Sequence, residues 1–334
     1  MKFSLAICCY NFERFIEEAI DCAFAQTYRP LEIVISDDHS PDRSWEKILA
    51  KVASYGYQVP ALNSVGTFVL EKEEGKLSTF THQSSTFGLT VVLNRNPTNL
   101  GLAFHENRLF EISSGDYIAF QAGDDVSAPV RIERIAAAVA ENSRIRCLHC
   151  RCDVIDAEGR PFKVPASFKR QRKVKKNPLP SILGAGAVYH KDVFSKFGPL
   201  AAFCRNEDHV LPMRASLLGE IHFLDEVLLR YRKHGANESG AYQSDCKGAA
   251  VYRLRMIGMY HQELQDLLVA EQQGLGAEKV IRRFRRLIQD EIFIHRFFGL
   301  RYLRPELKGP LLQELLFSPH NLFLFFKRAW GRIG

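Results

Sequence analysis

The chain has 334 residues, of which 46% are hydrophobic and 25% are charged. This length allows one large or two smaller domains with a full core, and the composition is ordinary for a soluble globular protein. No segment reaches the roughly 18 uninterrupted apolar residues of a membrane span. The strand-like run after Met1 is too short for the core of a signal peptide. We therefore expect a cytoplasmic protein.

The formal net charge is +7, and much of the excess lies in residues 251–334, which carry 14 Lys and Arg against 8 Asp and Glu. A basic balance favours anionic partners such as nucleotides, phosphorylated lipids or nucleic acid. The chain has no recognisable nucleic-acid reading motif, so we do not expect a nucleic-acid partner.

Eight cysteines are too few in a chain of this length to indicate a disulfide scaffold. Cys147 and Cys150 have the two-residue gap of a zinc knuckle, with His149 between them and Cys152 just beyond. No second pair of this kind exists. On a strand, Cys150 and Cys152 would share one face while Cys147 and His149 point to the other. This favours reduced, buried thiols over the alternative of a zinc site.

The beginning of the chain alternates strand and helix patterns. Apolar runs at residues 3–9 and 31–36 predict buried strands, and helical spacing predicts helices over residues 11–26 and 44–52. This order is typical of a parallel sheet with crossover helices, in which ligands bind at the carboxyl ends of the strands. The Asp37-Asp38 pair follows the second strand, at such an end.

Residues 54–88 interrupt this rhythm with a stretch rich in Ser, Thr and Gly, which we interpret as an inserted excursion. The alternation then returns with a predicted strand over residues 90–93, a turn at Asn99-Leu100-Gly101 and a helix over residues 102–112. Three strand-and-helix units therefore precede the next apolar run.

Residues 117–120 form a short apolar run that ends at Gly123-Asp124-Asp125, which predicts a buried strand that places two carboxylates at the sheet edge. Adjacent carboxylates repel each other, and Mg²⁺ or Mn²⁺ stabilises such a pair, often with substrate phosphates completing the shell. The alternative is a solvated turn in which Asp125 helps to start a helix near Pro129.

Further along the chain, the pattern predicts strands over residues 146–155 and 221–231 and a helix over residues 209–218. Asp208 precedes that helix, where a lone carboxylate is commonly an N-cap. His234 lies in a loop with Gly235, where a lone histidine is commonly structural.

Residues 162–176 carry seven Lys and Arg. This pattern is typical of a solvated loop, and the alternative is a mobile cover over a phosphate-bearing ligand.

The C-terminal region is helical and basic from Tyr252 onward, and apolar and cationic residues interleave at 322–328. This pattern suits peripheral docking on an anionic membrane surface, at the inner face of the membrane. The alternative is an amphipathic helix packed on the rest of the protein.

The order of these features resembles the family 2 glycosyltransferases across roughly residues 3–240, with the tail outside the resemblance. The residues that carry it are Cys9-Tyr10-Asn11, Ala25-Gln26-Thr27-Tyr28, Glu32-Ile33-Val34-Ile35-Ser36-Asp37-Asp38-His39-Ser40, Asn99-Leu100-Gly101, Gly115-Asp116-Tyr117-Ile118-Ala119-Phe120, Gly123-Asp124-Asp125, Glu207-Asp208, Tyr231-Arg232-Lys233-His234, Asn237 and Ser239.

The resemblance implies an α/β protein with the GT-A fold, a Rossmann-like and mostly parallel sheet flanked by helices, with a helical C-terminal extension. It places the transferase domain at residues 1–243, with a nucleotide-binding half at 1–125 and an acceptor and catalytic half at 126–243. Residues 244–334 form the basic helical region.

For the donor, the resemblance implies that Asp38 reads the nucleotide base with Tyr10 near the same pocket. Asp124 and Asp125 would hold Mg²⁺ or Mn²⁺ on the donor diphosphate, without a choice between them as the direct ligand. A UDP- or dTDP-type nucleotide sugar is the expected donor.

For the transfer step, the resemblance implies that Asp208 is the general base, which takes the proton from an acceptor hydroxyl in a single, inverting displacement. His234 is similar to a late histidine that approaches the diphosphate or the metal, and Arg232 is expected to close over the same group. A glycan or lipid-linked acceptor in polysaccharide biosynthesis is expected, with rhamnosyl transfer as one analogy. The alternatives are a non-catalytic nucleotide-binding or regulatory protein of this fold and a sugar nucleotidyltransferase.

The sequence departs from the pattern of the family in three places. Ala122 and Gly123 stand where many members have a further acid, Cys8-Cys9 replaces a frequent Pro-Thr, and His39 replaces a frequent glycine. With fewer acids, we expect the ion to depend heavily on the donor phosphates and to bind little before the nucleotide.

Overall fold

The computed structural model describes residues 1–72, 88–162, 180, 182–202, 204, 207–235 and 246–303. Over these residues the strands are β1 (Phe3–Cys9), β2 (Leu31–Asp37), β3 (Gly66–Leu70), β4 (Leu89–Arg95), β5 (Tyr117–Ala122), β6 (Val126–Ser127), β7 (Ile145–Ile155), β8 (Val188–His190) and β9 (Glu220–Arg232). The helices are α1 (Ile16–Phe24), α2 (Ser44–Ser54), α3 (Leu102–Ile112), α4 (Arg131–Glu141), α5 (Asp192–Ser195), α6 (Glu207–Leu218), α7 (Cys246–Gln273) and α8 (Glu278–Leu303).

All of these strands belong to one sheet in the order β3-β4-β2-β1-β5-β8-β7-β9-β6. Strands β4, β2, β1 and β5 are parallel neighbours, and β7 is parallel to β9. Strand β8 lies antiparallel between β5 and β7, so β7 and β9 run in the direction of β5. The prediction of a mostly parallel sheet is confirmed, and the carboxyl ends of six strands lie at one edge.

Helices cover both faces of the sheet. Successive side chains of a strand point to opposite faces, so each central strand contributes to two cores. Leu5 and Ile7 of β1 share a core with buried residues of α1, α2 and α4. Ala6, between them, belongs to a second core built with α3, α6, α7 and α8. Burial on both faces explains why the central strands are continuous apolar runs rather than alternating ones.

The structure contains the predicted helices and strands, but several of them begin or end at other residues than predicted. Helix α1 begins at Ile16 rather than at residue 11, because the backbone of Asn11 is left-handed and a turn at Phe12 comes before the helix. The 54–88 excursion contains the unpredicted edge strand β3, whose side chains stay partly or fully exposed. Val69 is 71% exposed, so this strand lacks the buried apolar residues from which a strand is predicted. Residues 73–87 lie outside the described residues.

The C-terminal helices pack on the sheet in the part of the chain that is described. Met259 and Leu267 of α7 and Ile288 of α8 are buried in the same core as Leu211 of α6. Packing on the rest of the protein is thus established for α7 and α8. The predicted boundary at 243/244 falls in residues 236–245, and the 322–328 segment falls in 304–334, both outside the described residues. None of the described helices is long and apolar enough to cross a membrane.

The predicted cysteine cluster is divided between separate parts of the core. Cys147 lies in the core that contains α6 and α7, whereas Cys150 and Cys152 pack beside Leu229 in another cluster. A Cβ atom at Gly186 would lie 3.2 Å from Sγ of Cys150. Among the described residues no three His, Cys, Asp or Glu side chains are grouped so that they could hold a metal ion. The structure therefore gives the zinc alternative no support.

Candidate active site

The site lies where the same-direction strands end. Cys9, the last residue of β1, is level with Asp37 at the end of β2. Beyond these ends the chain turns through Asn11 and His39, each with φ of 59°. Asn and His adopt this left-handed conformation more often than most residues do, but glycine adopts it without strain, which explains why glycine suits position 39.

Asp38 is buried at this edge and 2% exposed. Its Oδ1 accepts hydrogen bonds from Nδ2 of Asn96 at 2.7 Å and the backbone N–H of Leu100 at 2.9 Å, and its Oδ2 accepts one from the N–H of Gly101 at 3.0 Å. Asp38 thus holds the predicted Asn99-Leu100-Gly101 turn that begins α3. Tyr10, just past the end of β1, is 40% exposed.

Asp124 and His234 lie next to each other, although 110 residues separate them in the chain. Oδ2 of Asp124 is 2.9 Å from Nε2 of His234, and the two side chains are 3% and 11% exposed. The rings of Phe12 and Phe15 lie against the imidazole, at 6.3 and 4.9 Å between centroids. Burial raises the pKa of Asp124, and the hydrogen bond with His234 opposes that shift. Strand pairing of Val126 with Arg230 brings the two segments together.

Asp125 points into the protein and is fully buried. Its Oδ1 accepts a hydrogen bond from the backbone N–H of Arg232 at 2.9 Å, while its Oδ2 is buried and has no hydrogen-bond partner among the residues that the structure describes. Burial, with the neighbouring Asp124 carboxylate, raises the pKa of Asp125 well above its usual value. The N-cap of α4 is Val130, so the alternative in which Asp125 starts that helix is wrong.

Gly123 has no space for a side chain. Its N–H donates to the backbone oxygen of Cys8 at 2.9 Å. A Cβ atom there would lie 2.9 Å from Cδ2 of Phe12 and 3.1 Å from Cδ1 of Ile16. Because Phe12 packs against His234, an acid at position 123 would displace the ring that supports the histidine. The packing of α1 therefore explains the missing acid at this position.

Arg232 is only 2% exposed, and its guanidinium points inward. Its Nε donates to the backbone oxygen of Asp124 at 2.8 Å, and its Nη2 donates to Oε2 of Glu18 at 2.5 Å. The guanidinium also lies over the ring of Phe15, 5.0 Å from its centroid. Direct contact of Arg232 with the donor stays a prediction. This geometry instead joins α1 to the segment that carries the Asp124-Asp125 pair.

Asp208 lies in the first turn of α6, not before the helix, so the N-cap alternative does not describe its position. The segment before β8 runs beside the end of β5, where the N–H of Phe120 donates to the oxygen of Ala187 at 3.0 Å. A Cβ atom at Gly184 in that segment would lie 3.2 Å from Cβ of Asp208 and 2.9 Å from Oε1 of Glu207. Asp208 therefore lies beside the segment that leads into β8, the neighbour of β5.

A buried histidine beneath this edge was not identified from the sequence. Nδ1 of His105 lies 3.1 Å from Sγ of Cys8, and its Nε2 lies 2.8 Å from Oγ of Ser36. Burial lowers the pKa of His105 to about 4, so its ring is neutral near pH 7. Glu18, Phe12 and Phe15 were likewise missed as site residues, because a helical apolar pattern does not reveal which residues face a ligand.

Asp124 and His234 could supply two ligands to a divalent ion if a substrate completed its shell. A carboxylate and an imidazole are suitable ligands for Mn²⁺, and Mg²⁺ is commonly held by one or two carboxylates with substrate phosphates. Asp124 offers a carboxylate oxygen 2.9 Å from Nε2 of His234, whereas the carboxylate of Asp125 is fully buried. Residues 163–176 of the predicted phosphate cover, as well as Asn237 and Ser239, lie outside the described residues.

The comparison with protein families gives one match on more than half of the chain. A model described as "Glycosyl transferase family 2" matches residues 4–61 and 81–198. An uncharacterized glycosyltransferase of Nostoc sp. is 25% identical over 295 residues, which cover 85% of this chain and 80% of the relative. A similarly named protein of Haemophilus influenzae is 24% identical over 259 residues, covering 72% of this chain and 68% of the relative.

Solved structures share the architecture at low sequence identity. The mannosyltransferase PcManGT from Pyrobaculum calidifontis, in complex with GDP-Man and Mn²⁺, superimposes with a TM-score of 0.54 at 13% identity, covering 99% of this chain and 80% of that one. Residues 1–349 of TarS from S. aureus, in complex with UDP-GlcNAc, give a TM-score of 0.53 at 18% identity, covering 98% and 88%. At these identities the likeness concerns the fold.

Proposed function

The chain belongs to glycosyl transferase family 2 and is a glycosyltransferase with the GT-A fold, and on that premise we propose that it is an inverting, metal-assisted enzyme. The proposed reaction moves a sugar from a nucleotide-sugar donor to a hydroxyl of a glycan or lipid-linked acceptor, as in polysaccharide biosynthesis. One observation carries the proposal, namely that Asp124 and His234 lie 2.9 Å apart just beyond the carboxyl end of β5.

We propose that the donor nucleotide occupies the ends of β1 and β2. Exposed Tyr10 is suited to contact the nucleoside, and Asp38 shapes the pocket through its hold on Leu100 and Gly101. A UDP- or dTDP-type donor remains our expectation, and rhamnosyl transfer remains one candidate among sugars.

We propose that Asp124 is the direct protein ligand of Mg²⁺ or Mn²⁺, assisted by His234. Asp125 is the weaker candidate, since one oxygen is taken by the N–H of Arg232 and the carboxyl is fully buried. When bound, the divalent ion neutralises charge on the departing nucleoside diphosphate. In this proposal Arg232 holds the acid pair in place, through the backbone oxygen of Asp124 and the carboxylate of Asp125.

We propose that Asp208 is the general base. Its carboxylate accepts the proton of the acceptor hydroxyl as that oxygen bonds to the anomeric carbon, and the bond from that carbon to the diphosphate oxygen breaks on the opposite face. A single displacement of this kind inverts the configuration of the anomeric carbon. In this proposal the base and the leaving group lie on opposite sides of the sugar.

The proposed donor class is tested by ligand-induced stabilisation. We expect UDP or dTDP with Mn²⁺ to raise the Tm of the protein, by about 1–2 °C per kcal/mol of binding free energy for a chain of this size. The same nucleotides with EDTA should raise the Tm much less, because EDTA removes the ion that would join the diphosphate to Asp124. A panel of nucleotide sugars then tests turnover, and a protein that binds donors without hydrolysis or transfer would contradict the proposed activity.

We also propose that the protein is cytoplasmic and docks peripherally on an anionic membrane surface. Lys279, Arg282, Arg283 and Arg286 are exposed on α8 at the i, i+3, i+4, i+7 spacing of one helix face, and Phe284 is buried on another. A lipid-linked acceptor would be reached from such a surface.

Substitution of Arg282, Arg283 and Arg286 by serine tests this docking. Each basic residue near an anionic surface is worth about 1 kcal/mol, so the triple variant should lower partitioning onto phosphatidylserine vesicles about 100-fold. The control replaces exposed Arg134, Arg144 and Arg160 on the sheet domain by serine. Equal co-sedimentation of the two triple variants would contradict docking through α8.

A further inference from the structure

The backbone shortly before α6 is held from two sides. On one side, Asn107 of α3 makes a reciprocal pair of hydrogen bonds with Leu200. Nδ2 of Asn107 donates to the oxygen of Leu200 and the N–H of Leu200 donates to Oδ1 of Asn107, both at 2.7 Å. Leu200 is 1% exposed. The α3 helix begins at the turn that Asp38 holds, so this side is continuous with the proposed donor pocket.

The other side is formed by α7, in the C-terminal region. The N–H of Ala201 donates to Oε1 of Gln262 at 2.9 Å, and Nε2 of Gln262 donates to Oδ1 of Asp266 at 3.0 Å. Both side chains are buried, with 5% and 1% exposed. Gln262 is therefore a bridge between the backbone at Ala201 and the carboxylate of Asp266.

Asp266 also fixes α6 itself. Nε and Nη2 of Arg214 donate to its two carboxylate oxygens at 2.7 and 2.9 Å, and neither side chain is more than 1% exposed. Nη1 of Arg214 donates to the backbone oxygen of Gly198 at 2.8 Å. Arg214 lies six residues beyond Asp208 on the same helix. A bidentate buried pair fixes distance and rotation together, so α7 sets how α6 is turned toward the sheet edge.

We propose that Gln262 and Asp266 are positioning residues for Asp208, and that the C-terminal helix α7 is thereby part of the machinery for the transfer step. This inference rests on the proposed role of Asp208 as the base. The family match ends at residue 198, so Gln262 and Asp266 lie outside it. In this arrangement donor binding depends on residues of the sheet edge, whereas the alignment of the base depends on α7.

The experiment replaces Gln262 with methionine, which keeps the length of the side chain and removes both hydrogen bonds. A displacement of about 1 Å at a catalytic group can lower the rate about 100-fold, so we expect kcat for transfer to fall about 10- to 100-fold. The dissociation constant of UDP or dTDP with Mn²⁺ should change less than about twofold. Hydrogen exchange of the Ala201 amide should accelerate, because its hydrogen-bond acceptor is gone.

The matched control is Gln265→Met, an exposed glutamine one turn away on α7. Equal kcat for the wild type and Gln262→Met would overturn the inference, as would parallel losses of kcat, donor affinity and Tm, which indicate a merely structural role. If the wild type itself transfers no sugar from any donor, the proposed function fails instead, and that outcome is separate because it appears before any variant is compared.

Discussion

Replacement of Asp208 by asparagine is expected to lower kcat for glycosyl transfer about 10²- to 10⁴-fold, the usual contribution of a general base. Asparagine has nearly the same shape but does not accept a proton at neutral pH. Donor binding, measured by calorimetry with nucleoside diphosphate and Mn²⁺, should be nearly unchanged, because Asp208 belongs to α6 and the donor pocket is proposed at the ends of β1, β2 and β5.

The matched control for this variant is Glu207→Gln. It makes the same change of charge one residue away, and Oε1 of Glu207 lies at the same Gly184 backbone that Asp208 contacts. We expect Glu207→Gln to retain most of the activity. Unchanged turnover in Asp208→Asn would refute the assignment of the base, and a large loss in Glu207→Gln alone would transfer that role to Glu207.

Replacement of Asp124 by asparagine is expected to weaken metal-dependent binding of the nucleoside diphosphate by at least about 100-fold. Even residues that only orient a metal ligand commonly contribute 10- to 100-fold in metal affinity, and a direct ligand should contribute no less. EDTA should have the same effect on the wild-type protein and should remove transfer activity. Titration calorimetry with and without Mn²⁺ measures both effects.

Asp125→Asn separates the two carboxylates of the pair. Asparagine retains an oxygen that can accept the N–H of Arg232, so this variant should keep the local backbone and bind the nucleotide much more tightly than Asp124→Asn. Stronger impairment by Asp125→Asn would make Asp125 the direct ligand. Tight binding that is indifferent to the ion in every variant would falsify the metal proposal.

The predictions of secondary structure that the structure confirms depended on local sequence patterns. The ends of β1 and of α3 agree with prediction because a fully apolar run and a helical apolar stripe are set by neighbouring residues. The short strands β6 and β8 were missed, since two or three residues carry no periodic pattern. They are nevertheless the strands that bring Arg230 to Val126 and Ala187 to Phe120.

Arg232 illustrates what a motif leaves open. Its place in the Tyr231-Arg232-Lys233-His234 segment indicated a contact with the donor, and the structure directs its guanidinium to Glu18 and the backbone of Asp124. Long side chains at the end of a strand can point to solvent or fold inward, and the choice depends on which distant carboxylate is close. No pattern around Arg232 shows that Glu18 lies nearby.

The sequence by itself determined the family, the central strands and the acids at their ends, because apolar runs and strand-end carboxylates are local features that keep their order along the chain. Only the tertiary structure decided that Asp124 rather than Asp125 faces His234, that Phe12 occupies the space of a further acid, and that α7 braces the helix of Asp208. Each of these depends on contacts between segments far apart in the chain, and burial and hydrogen bonding between such segments are settled only when they pack.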